Sequence, residues 1–487
     1  MDKRFVLNIV SRILAFTSVI MLLPLGMAVY DDPHSLEVKS FIITILSGII
    51  LFAIVQFLFN LRKISYNKIA SAKNGLAVVG LSWIVLSLWG AFPLLLSKVV
   101  PSYTDAVFEI ASGFTTTGAS IFRDVEILPR GILFWRSLTH WLGGMGVIVL
   151  FITILPVLGT TSSQLYKIET SGLDTDKASG PSRIIARKLW AIYFLITGLS
   201  VALLIIGGMP LFDSLCHSFG AIATGGFSTK NTSIGGYSAY IQWVITFIMF
   251  LGGINFAIYC YLTIKKWKLF RDNGEFRVYL GIILFSIPVF FLFLRNTGLT
   301  DNPLRAGAFQ IVSILTATGY STANFDIWPN GLRMMLVIFM FIGGCAGSTS
   351  GGLKIIRAII STKSGLRYVR QTVSSPRSIM LVKYDSKVLS EDTIRAVFGF
   401  MALYGIFFLF GSFFLLASEP SCDIETATTA SIACLSTVGP GLGKVGPLQN
   451  YAWISAPGKW VLSFLMLAGR LELYAILALF IPRTWQK

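Results

Sequence analysis

One phrase of three residues occurs four times in the chain: Thr116-Thr117-Gly118, Ala223-Thr224-Gly225, Ala317-Thr318-Gly319 and Thr437-Val438-Gly439. A pair of small residues follows each copy 24 to 29 residues later, inside an apolar run: Gly143-Gly144, Gly252-Gly253, Gly343-Gly344 and Ala468-Gly469. Two landmarks repeated about every 100 residues predict four related units. Four units around one axis are how many membrane proteins build a pore.

The composition is that of a membrane protein. Apolar residues make up 54% of the 487 residues, charged residues only 13%, and the mean hydropathy is +0.73. Apolar runs of about 20 residues recur, which is the length that a helix needs to cross a bilayer. The net charge of +17 does not indicate nucleic-acid binding, because the basic residues concentrate in alternate connections. The five cysteines show no paired or zinc-binding spacing, so we expect free thiols.

Ten apolar spans are predicted, in an N-terminal hairpin and four units. The hairpin occupies residues 1–68, and we interpret its first span as a retained helix because no convincing cleavage site follows it. Each unit has an apolar span, a segment too short to cross, and a second span. The units are residues 69–165, 166–270, 271–385 and 386–487, with second spans at 131–158, 238–264, 330–353 and 456–481. The basic connections all fall on one side, which predicts cytoplasmic N- and C-termini.

The short segments between paired spans carry the predicted chemistry. Three of them begin with an aspartate that we expect to cap a helix, namely Asp105, Asp213 and Asp423, whereas the third segment begins at Pro303 and must be capped differently. The 12 to 16 residues from each aspartate to its glycine allow a re-entrant half-helix and an extended strand. Such strands expose carbonyl oxygens to a dehydrated cation, and glycine permits the positive φ that this requires. We therefore expect the twelve residues of the four phrases to form a cation filter.

The eighth span contains a segment that is not expected to be helical. It reads Gly343-Gly344-Cys345-Ala346-Gly347-Ser348-Thr349-Ser350-Gly351-Gly352, in which five residues are glycine and three carry hydroxyl groups. This composition disfavours helix propagation, and irregular backbone at membrane depth must line protein or water. An intramembrane loop is predicted, with a helix bearing a small-residue face as the alternative. The pairs Gly143-Gly144 and Gly252-Gly253 are interpreted as helix packing sites.

Several isolated polar residues lie within the spans. Arg470 lies midway along the last span, where a charge costs about 2.5 to 3.5 kcal/mol unless it faces water or a partner. We expect it to face the cavity, and an ion pair with Glu109 or Glu472 is the alternative. For Glu109, His217 and His140 a structural role is favoured over ion binding.

The whole pattern resembles a known family. The four units, the phrase from Gly343 to Lys354 and the phrase Ala468-Gly469-Arg470-Leu471-Glu472 are similar to the TrkH-type subunits of the Trk/Ktr/HKT potassium transporter superfamily. The N-terminal hairpin favours the bacterial TrkH type. The resemblance implies an all-α polytopic protein with pseudo-fourfold repeats around one pore. It also implies that residues 343–352, Lys354 and Arg470 form a gate, and that Gly118 goes with preference for K⁺ over Na⁺.

The resemblance further implies partners and a location. It indicates a homodimer in the bacterial inner membrane, with one pore per subunit and a cytosolic TrkA-type nucleotide-binding regulatory subunit. Potassium is expected as the substrate ion bound at the filter, with no organic cofactor on this chain. An enzyme is disfavoured, because the three histidines accompany no acidic pair or metal motif within a span. A secondary symporter coupled to H⁺ or Na⁺ is the alternative function, although its repeats are more often inverted than parallel.

Overall fold

The protein is described by a computed structural model that covers residues 3–59, 72–153, 182–263, 268, 271–374, 380–385, 387–471 and 473–485. The described chain is helical except for irregular connections and one antiparallel pair of short strands, Lys383–Tyr384 and Lys387–Val388. Six of the described helices are long and apolar enough to cross a membrane. An all-α membrane fold is therefore confirmed. The predicted boundaries near residues 68, 165 and 270, and the basic connection at Lys167, lie outside the described residues.

The N-terminal hairpin packs on the first unit. It consists of helices Lys3–Ile20 and Leu22–Asp31, followed after a turn by Leu36–Leu58. The Glu37 carboxylate accepts a hydrogen bond from the backbone N–H of Ile132 at 2.7 Å. Because Ile132 lies in the first turn of the following unit's second helix, this buried carboxylate attaches the hairpin to the repeat domain.

Each of the four units contains a first helix, a pore helix and a second helix. The first helices are Ala72–Gly90 with its short continuation Phe92–Leu96, Ser182–Ile206, Gly274–Leu294 and Glu391–Ser418. The pore helices are Tyr103–Phe114, Leu211–Ile222, Pro303–Leu315 and Ile424–Leu435. The second helices are Arg130–Thr153, Ala239–Gly252 with Phe256–Thr263, Asn330–Ile342 with Ile355–Thr372, and Ala456–Arg470 with Leu473–Phe480, which leads to Pro482–Trp485.

Within the described residues, the second helices of the second and third units are interrupted. The predicted interruption of the eighth span is confirmed, since the helix stops at Ile342 and restarts at Ile355. The predicted span 238–264 also contains a break, between Gly252 and Phe256, and in the predicted span 456–481 the described helices are Ala456–Arg470 and Leu473–Phe480, with residue 472 outside the described residues. In the second unit the Asn255 side chain accepts from the N–H of Ala257 at 2.9 Å, which caps a new helix after Gly253.

The Gly143-Gly144 pair stays inside a continuous helix, as expected for a packing site. A Cβ atom added to Gly144 would lie 2.8 Å from the Cβ atom of Ala223, and one added to Gly143 would overlap the carbonyl oxygen of Phe114. The second helix of the first unit therefore packs directly against the C-terminal ends of the first two pore helices. For Gly252-Gly253 the packing interpretation was incomplete, because the helix also ends there.

The pore helices are capped partly as predicted. Asp423 is the N-cap of the fourth and accepts from the N–H of Thr426 at 2.9 Å. The cap predictions for Asp105 and Asp213 were wrong, because each lies at the third residue of its helix. In the third unit Asn302 caps the helix that begins at Pro303. All four helix N-termini nevertheless carry an oxygen-bearing side chain in or before the first turn, where the helix dipole favours it.

Asp105 and Asp213 hold other elements instead. The Asp105 carboxylate accepts from the Lys459 ammonium at 2.6 Å, which joins the first pore helix to the last second helix across 354 residues of sequence. The Asp213 carboxylate accepts a hydrogen bond at 2.6 Å from the hydroxyl of Thr229, which follows the repeated phrase of the same unit. The pair of Asp105 and Lys459 closes the ring of units by connecting the first to the fourth.

Candidate functional site

All four pore helices end with the same backbone geometry. The residue after each C-cap has a positive φ of 52° to 54°, and it is Thr116, Thr224, Ala317 or Thr437. The next residue donates its N–H back to the last turn, as Thr117 does to the carbonyl of Ser112 at 2.8 Å. This is a Schellman ending, in which glycine is usual. A side chain at such a φ costs about 1–2 kcal/mol, and four repeats of this strain indicate a geometry kept for function.

A glycine of positive φ follows two residues later in every unit. These residues are Gly118 at +80°, Gly226 at +83°, Gly319 at +82° and Gly439 at +93°. A Cβ atom on each would overlap a carbonyl oxygen of the next unit: that of Gly225, Thr318, Val438 and Thr117, respectively. The four contacts run from the first unit to the second, third and fourth, and then back to the first. The strands therefore form a closed ring in which only glycine fits.

The second unit differs from the predicted register by one residue. The phrase Ala223-Thr224-Gly225 was aligned with the other three, but the ring glycine is Gly226. Ala223 is the C-cap of its helix, and Gly225 takes the position that Thr117 takes in the first unit. The twelve predicted residues still lie at the ends of the pore helices, and Gly226 must be added to them.

A small cavity lies over the ring. Its volume is about 160 Å³, enough for several waters, and all four ring glycines line it together with Ser120 and Tyr451. Below the ring, the C-terminal ends of four pore helices converge. Helix C-termini carry partial negative charge, so the axis favours a cation.

Side chains behind the strands hold the ring in place. The residues nine positions before the four ring glycines are Glu109, His217, Gln310 and Ala430. Glu109 accepts from the N–H of Ile121 at 2.9 Å, His217 Nε2 lies 3.0 Å from the Ser228 hydroxyl, and Gln310 donates to the Tyr320 carbonyl at 3.4 Å. These contacts support the structural role expected for Glu109 and His217.

Gln310 and Tyr451 were missed by the sequence analysis. In the fourth unit Ala430 cannot hold the strand, and the Tyr451 hydroxyl instead donates to the carbonyl of Gly439 at 2.6 Å. The position of Gln310 could have been found by counting nine residues back from Gly319. Nothing in the sequence around Tyr451 signals its contact with the ring.

His140 is a buried structural residue, as expected. Its Nε2 accepts from the N–H of Phe227 at 3.1 Å, so the ring proton resides on Nδ1, which donates to the Gly113 carbonyl at 2.8 Å. Both nitrogens are occupied, and His140 links the first pore helix to the extended strand of the second unit.

The segment from Gly343 to Lys354 forms the intramembrane loop. Its two ends meet, because a Cβ atom on Gly343 would lie 3.0 Å from the Cα atom of Gly352. Between them the chain passes beneath the ring: the Thr349 hydroxyl donates to the Ile222 carbonyl at 2.9 Å. A Cβ atom on Gly351 would overlap the Ser436 carbonyl. The loop thus touches the C-terminal ends of the second and fourth pore helices.

The break in the second unit supports this loop from the side. Cys345 donates its N–H to the Gly253 carbonyl at 3.0 Å, and Phe256 donates its N–H to the Gly347 carbonyl at 3.0 Å. The Thr349 hydroxyl also lies 3.1 Å from the Gly252 carbonyl. The freed backbone groups of the two interrupted helices therefore satisfy one another, as the membrane interior requires.

Arg470 contacts the loop rather than an open cavity. The side chain is buried, and its guanidinium donates to the carbonyl of Thr349 and to the carbonyl of Gly143 at 3.3 Å. Among the described residues no carboxylate pairs with it, since Glu109 pairs with Arg136 at 2.7 Å. Glu472 lies outside the described residues. Nearby, the Lys354 ammonium donates to the Ser350 carbonyl. Two cations therefore hold the loop through its carbonyl oxygens.

The fold and site define a class of membrane protein with four pore-loop units in one chain. A family model described as TrkH, cation transport protein, matches residues 40–301 and 300–487. The Trk system potassium uptake protein TrkH of Salmonella typhimurium is 37% identical over 424 residues, covering 85% of this chain and 86% of that protein. The protein of the same name from Vibrio parahaemolyticus is 35% identical over the full length of both.

A solved structure agrees with the sequence comparisons. The crystal structure of the potassium transporter TrkH from Vibrio parahaemolyticus matches with a TM-score of 0.87 and 32% identity, covering 100% of both chains. This chain belongs to the TrkH family of cation transport proteins, and it is a multi-pass membrane protein. The family is one of transporters and not of enzymes.

Proposed function

We propose that this chain conducts K⁺ through the ring formed by Gly118, Gly226, Gly319 and Gly439. The closed set of glycine-to-carbonyl contacts between successive units is the observation that carries the proposal. Such a ring presents backbone carbonyl oxygens at a fixed spacing, which can replace the hydration shell of a cation. The names of the relatives, which are potassium uptake proteins, support K⁺ as the ion.

We propose that the intramembrane loop is the gate. It lies beneath the ring and is hydrogen-bonded to the second and fourth units, so it obstructs the axis while its contacts persist. The loop residues, Lys354 and Arg470 are the proposed gating residues. A regulated opening requires a second conformation, in which these hydrogen bonds are exchanged for others.

The assembly and location follow the family resemblance. We propose a homodimer in the bacterial inner membrane with both termini cytoplasmic, regulated by a cytosolic TrkA-type nucleotide-binding subunit. The names of the relatives, as members of a Trk system, support a partner. The basic helix Ile355–Thr372 leads away from the loop and is the element through which we expect that partner to act.

Reversal potentials in proteoliposomes test the transport mechanism. With purified protein and a K⁺ gradient, we expect the reversal potential to follow the K⁺ equilibrium potential and to ignore imposed pH or Na⁺ gradients. A shift of the reversal potential with either gradient would instead establish coupled symport. Absence of any K⁺ or Rb⁺ flux, in the presence of the cytosolic subunit and its nucleotide, would refute the pore itself.

Replacement of Arg470 by alanine tests the contact with the loop. We expect Rb⁺ uptake per unit of membrane protein to rise about tenfold, because the lost charge-assisted hydrogen bond to the Thr349 carbonyl contributes about 1.5–3 kcal/mol to the closed loop. Arg470→Lys keeps the positive charge but can reach fewer carbonyl oxygens, so an intermediate rise is expected. Reduced uptake by Arg470→Ala at a normal protein level would show that the guanidinium supports the open pore instead.

A further inference from the structure

A buried carboxylate touches both ends of the intramembrane loop. Glu275, the second residue of helix Gly274–Leu294, is only 2% exposed. One of its oxygens, Oε1, accepts from the N–H of Ala346 at 2.8 Å and from the N–H of Ile356 at 3.1 Å. Ala346 precedes the passage of the loop beneath the ring, and Ile356 is the second residue of the helix that follows. A single atom therefore ties the entry of the loop to its exit.

The surroundings favour a hydrogen-bond acceptor at this point. The N–H of Ile356 is one of the donors that the first turn of helix Ile355–Thr372 cannot satisfy internally, and the dipole of that helix attracts a negative group. The Glu275 oxygen is thus satisfied by two backbone N–H donors, one of them at a helix N-terminus.

The elements that follow the loop pack on the same side. Ala346 belongs to a small apolar cluster with Ile356 and Ile360 of helix Ile355–Thr372, with Tyr384 of the first short strand and with Val382 just before that strand. The adjacent Asp385 carboxylate lies 3.4 Å from the N–H of Gly274. A movement of helix Ile355–Thr372 away from helix Gly274–Leu294 separates Ile356 from Glu275.

We propose that Glu275 is a positioning residue whose hydrogen bonds stabilise the closed conformation of the loop. These hydrogen bonds break when helix Ile355–Thr372 moves. The proposal rests on the proposed role of the loop as the gate. Glu275 contacts the loop on the side away from the ring. It therefore affects the fraction of molecules with an open gate and does not affect the selectivity between Rb⁺ and Na⁺. A displacement of helix Ile355–Thr372 is transmitted to the loop through the Oε1 atom, which accepts hydrogen bonds from both elements.

Two isosteric variants separate hydrogen bonding from packing. Glu275→Gln keeps an acceptor oxygen of the same reach, whereas Glu275→Met keeps the volume and removes the acceptor. In proteoliposomes without a cytosolic subunit, we expect Glu275→Met to raise Rb⁺ uptake about tenfold, while Glu275→Gln stays close to wild type. The ratio of Rb⁺ to Na⁺ uptake is expected to be unchanged in both. Glu126→Met, at an exposed carboxylate, is the matched control and should change neither quantity.

Cys345 gives a second readout, because this loop residue is fully buried. In protein whose other four cysteines are alanine, a water-soluble maleimide should label Cys345 faster in the Glu275→Met variant than in the Glu275→Gln variant. Equal labelling and equal uptake would overturn the proposal. If the Glu275→Met protein does not accumulate, Ile356→Pro can replace it, because proline removes the N–H that Ile356 donates to Glu275. Ile356 lies near the start of its helix, where proline is tolerated, and this variant must also raise uptake.

Deletion of residues Gly347 to Gly351 tests the gating role of the loop separately from the role of Glu275. If the deletion raises uptake and Glu275→Met does not, the loop is the gate but Glu275 does not hold it closed. If neither raises uptake, the gating role of the loop fails first.

Discussion

In the Gly118→Ser protein, the ratio of Na⁺ uptake to Rb⁺ uptake is expected to be about tenfold higher than in wild type. This change is equivalent to about 1.4 kcal/mol in the difference between the two barrier heights. Gly118 has φ of +80°, and a Cβ atom there would overlap the Gly225 carbonyl oxygen. The neighbouring strand must shift, and a hydroxyl group enters the ring. A ring whose carbonyl spacing is disturbed no longer matches a dehydrated K⁺ as well. Paired Rb⁺ and Na⁺ uptake in proteoliposomes measures the change.

Gly281→Ser is the control for this substitution. Gly281 lies within helix Gly274–Leu294, and a Cβ atom there meets nothing within 4 Å. We expect its Rb⁺ to Na⁺ ratio to equal that of wild type. An unchanged ratio in the Gly118→Ser protein would remove Gly118 from the selectivity ring.

Deletion of Gly347 to Gly351 is expected to give the largest rise in flux, with conduction that no longer needs a regulatory partner. The ends of the loop already touch at Gly343 and Gly352, so three remaining residues can rejoin them without displacing either helix. The deletion removes Thr349, and with it the contacts to Ile222 and to Arg470. Rb⁺ uptake by purified protein alone, normalised to the amount of protein, is the measurement.

The ion preference of the deletion protein is its internal control. The ring lies on the other side of the pore-helix ends, so the Rb⁺ to Na⁺ uptake ratio should match that of wild type. A changed ratio would mean that the loop also supports the ring. Lower uptake than wild type at normal protein yield would identify the loop as a structural element of the conducting state.

Features encoded by local composition were predicted well. The four units, the short pore helices and the interruption of the eighth span all follow from apolar length, repeated glycine and the cluster in residues 343–352. The exact register of the second unit was not predicted, because Gly225 and Gly226 are adjacent and either satisfies the pattern. Only the backbone conformation, with positive φ at Gly226, distinguishes them.

Features that depend on distant partners were missed. Glu275 meets the loop across 71 and 81 residues of sequence, and no local pattern marks such a contact. Asn255 is a single polar residue in an apolar run, yet it caps a new helix after the break in the span. Arg470 was expected to face a cavity, because a sequence cannot reveal that carbonyl oxygens of a loop and of another helix lie within its reach. The assigned roles of filter and gate, and the four unit boundaries, remain predictions.

The covalent linkage of the four units also affects how ion preference can evolve. In a channel of four identical subunits, one codon change alters every position of a coordination layer at once. In the proposed filter, Thr117, Gly225, Thr318 and Val438 form one layer but are encoded separately, and they already differ. A single mutation therefore changes one quarter of the layer, and selection can adjust discrimination between alkali cations in steps that a symmetric tetramer cannot take.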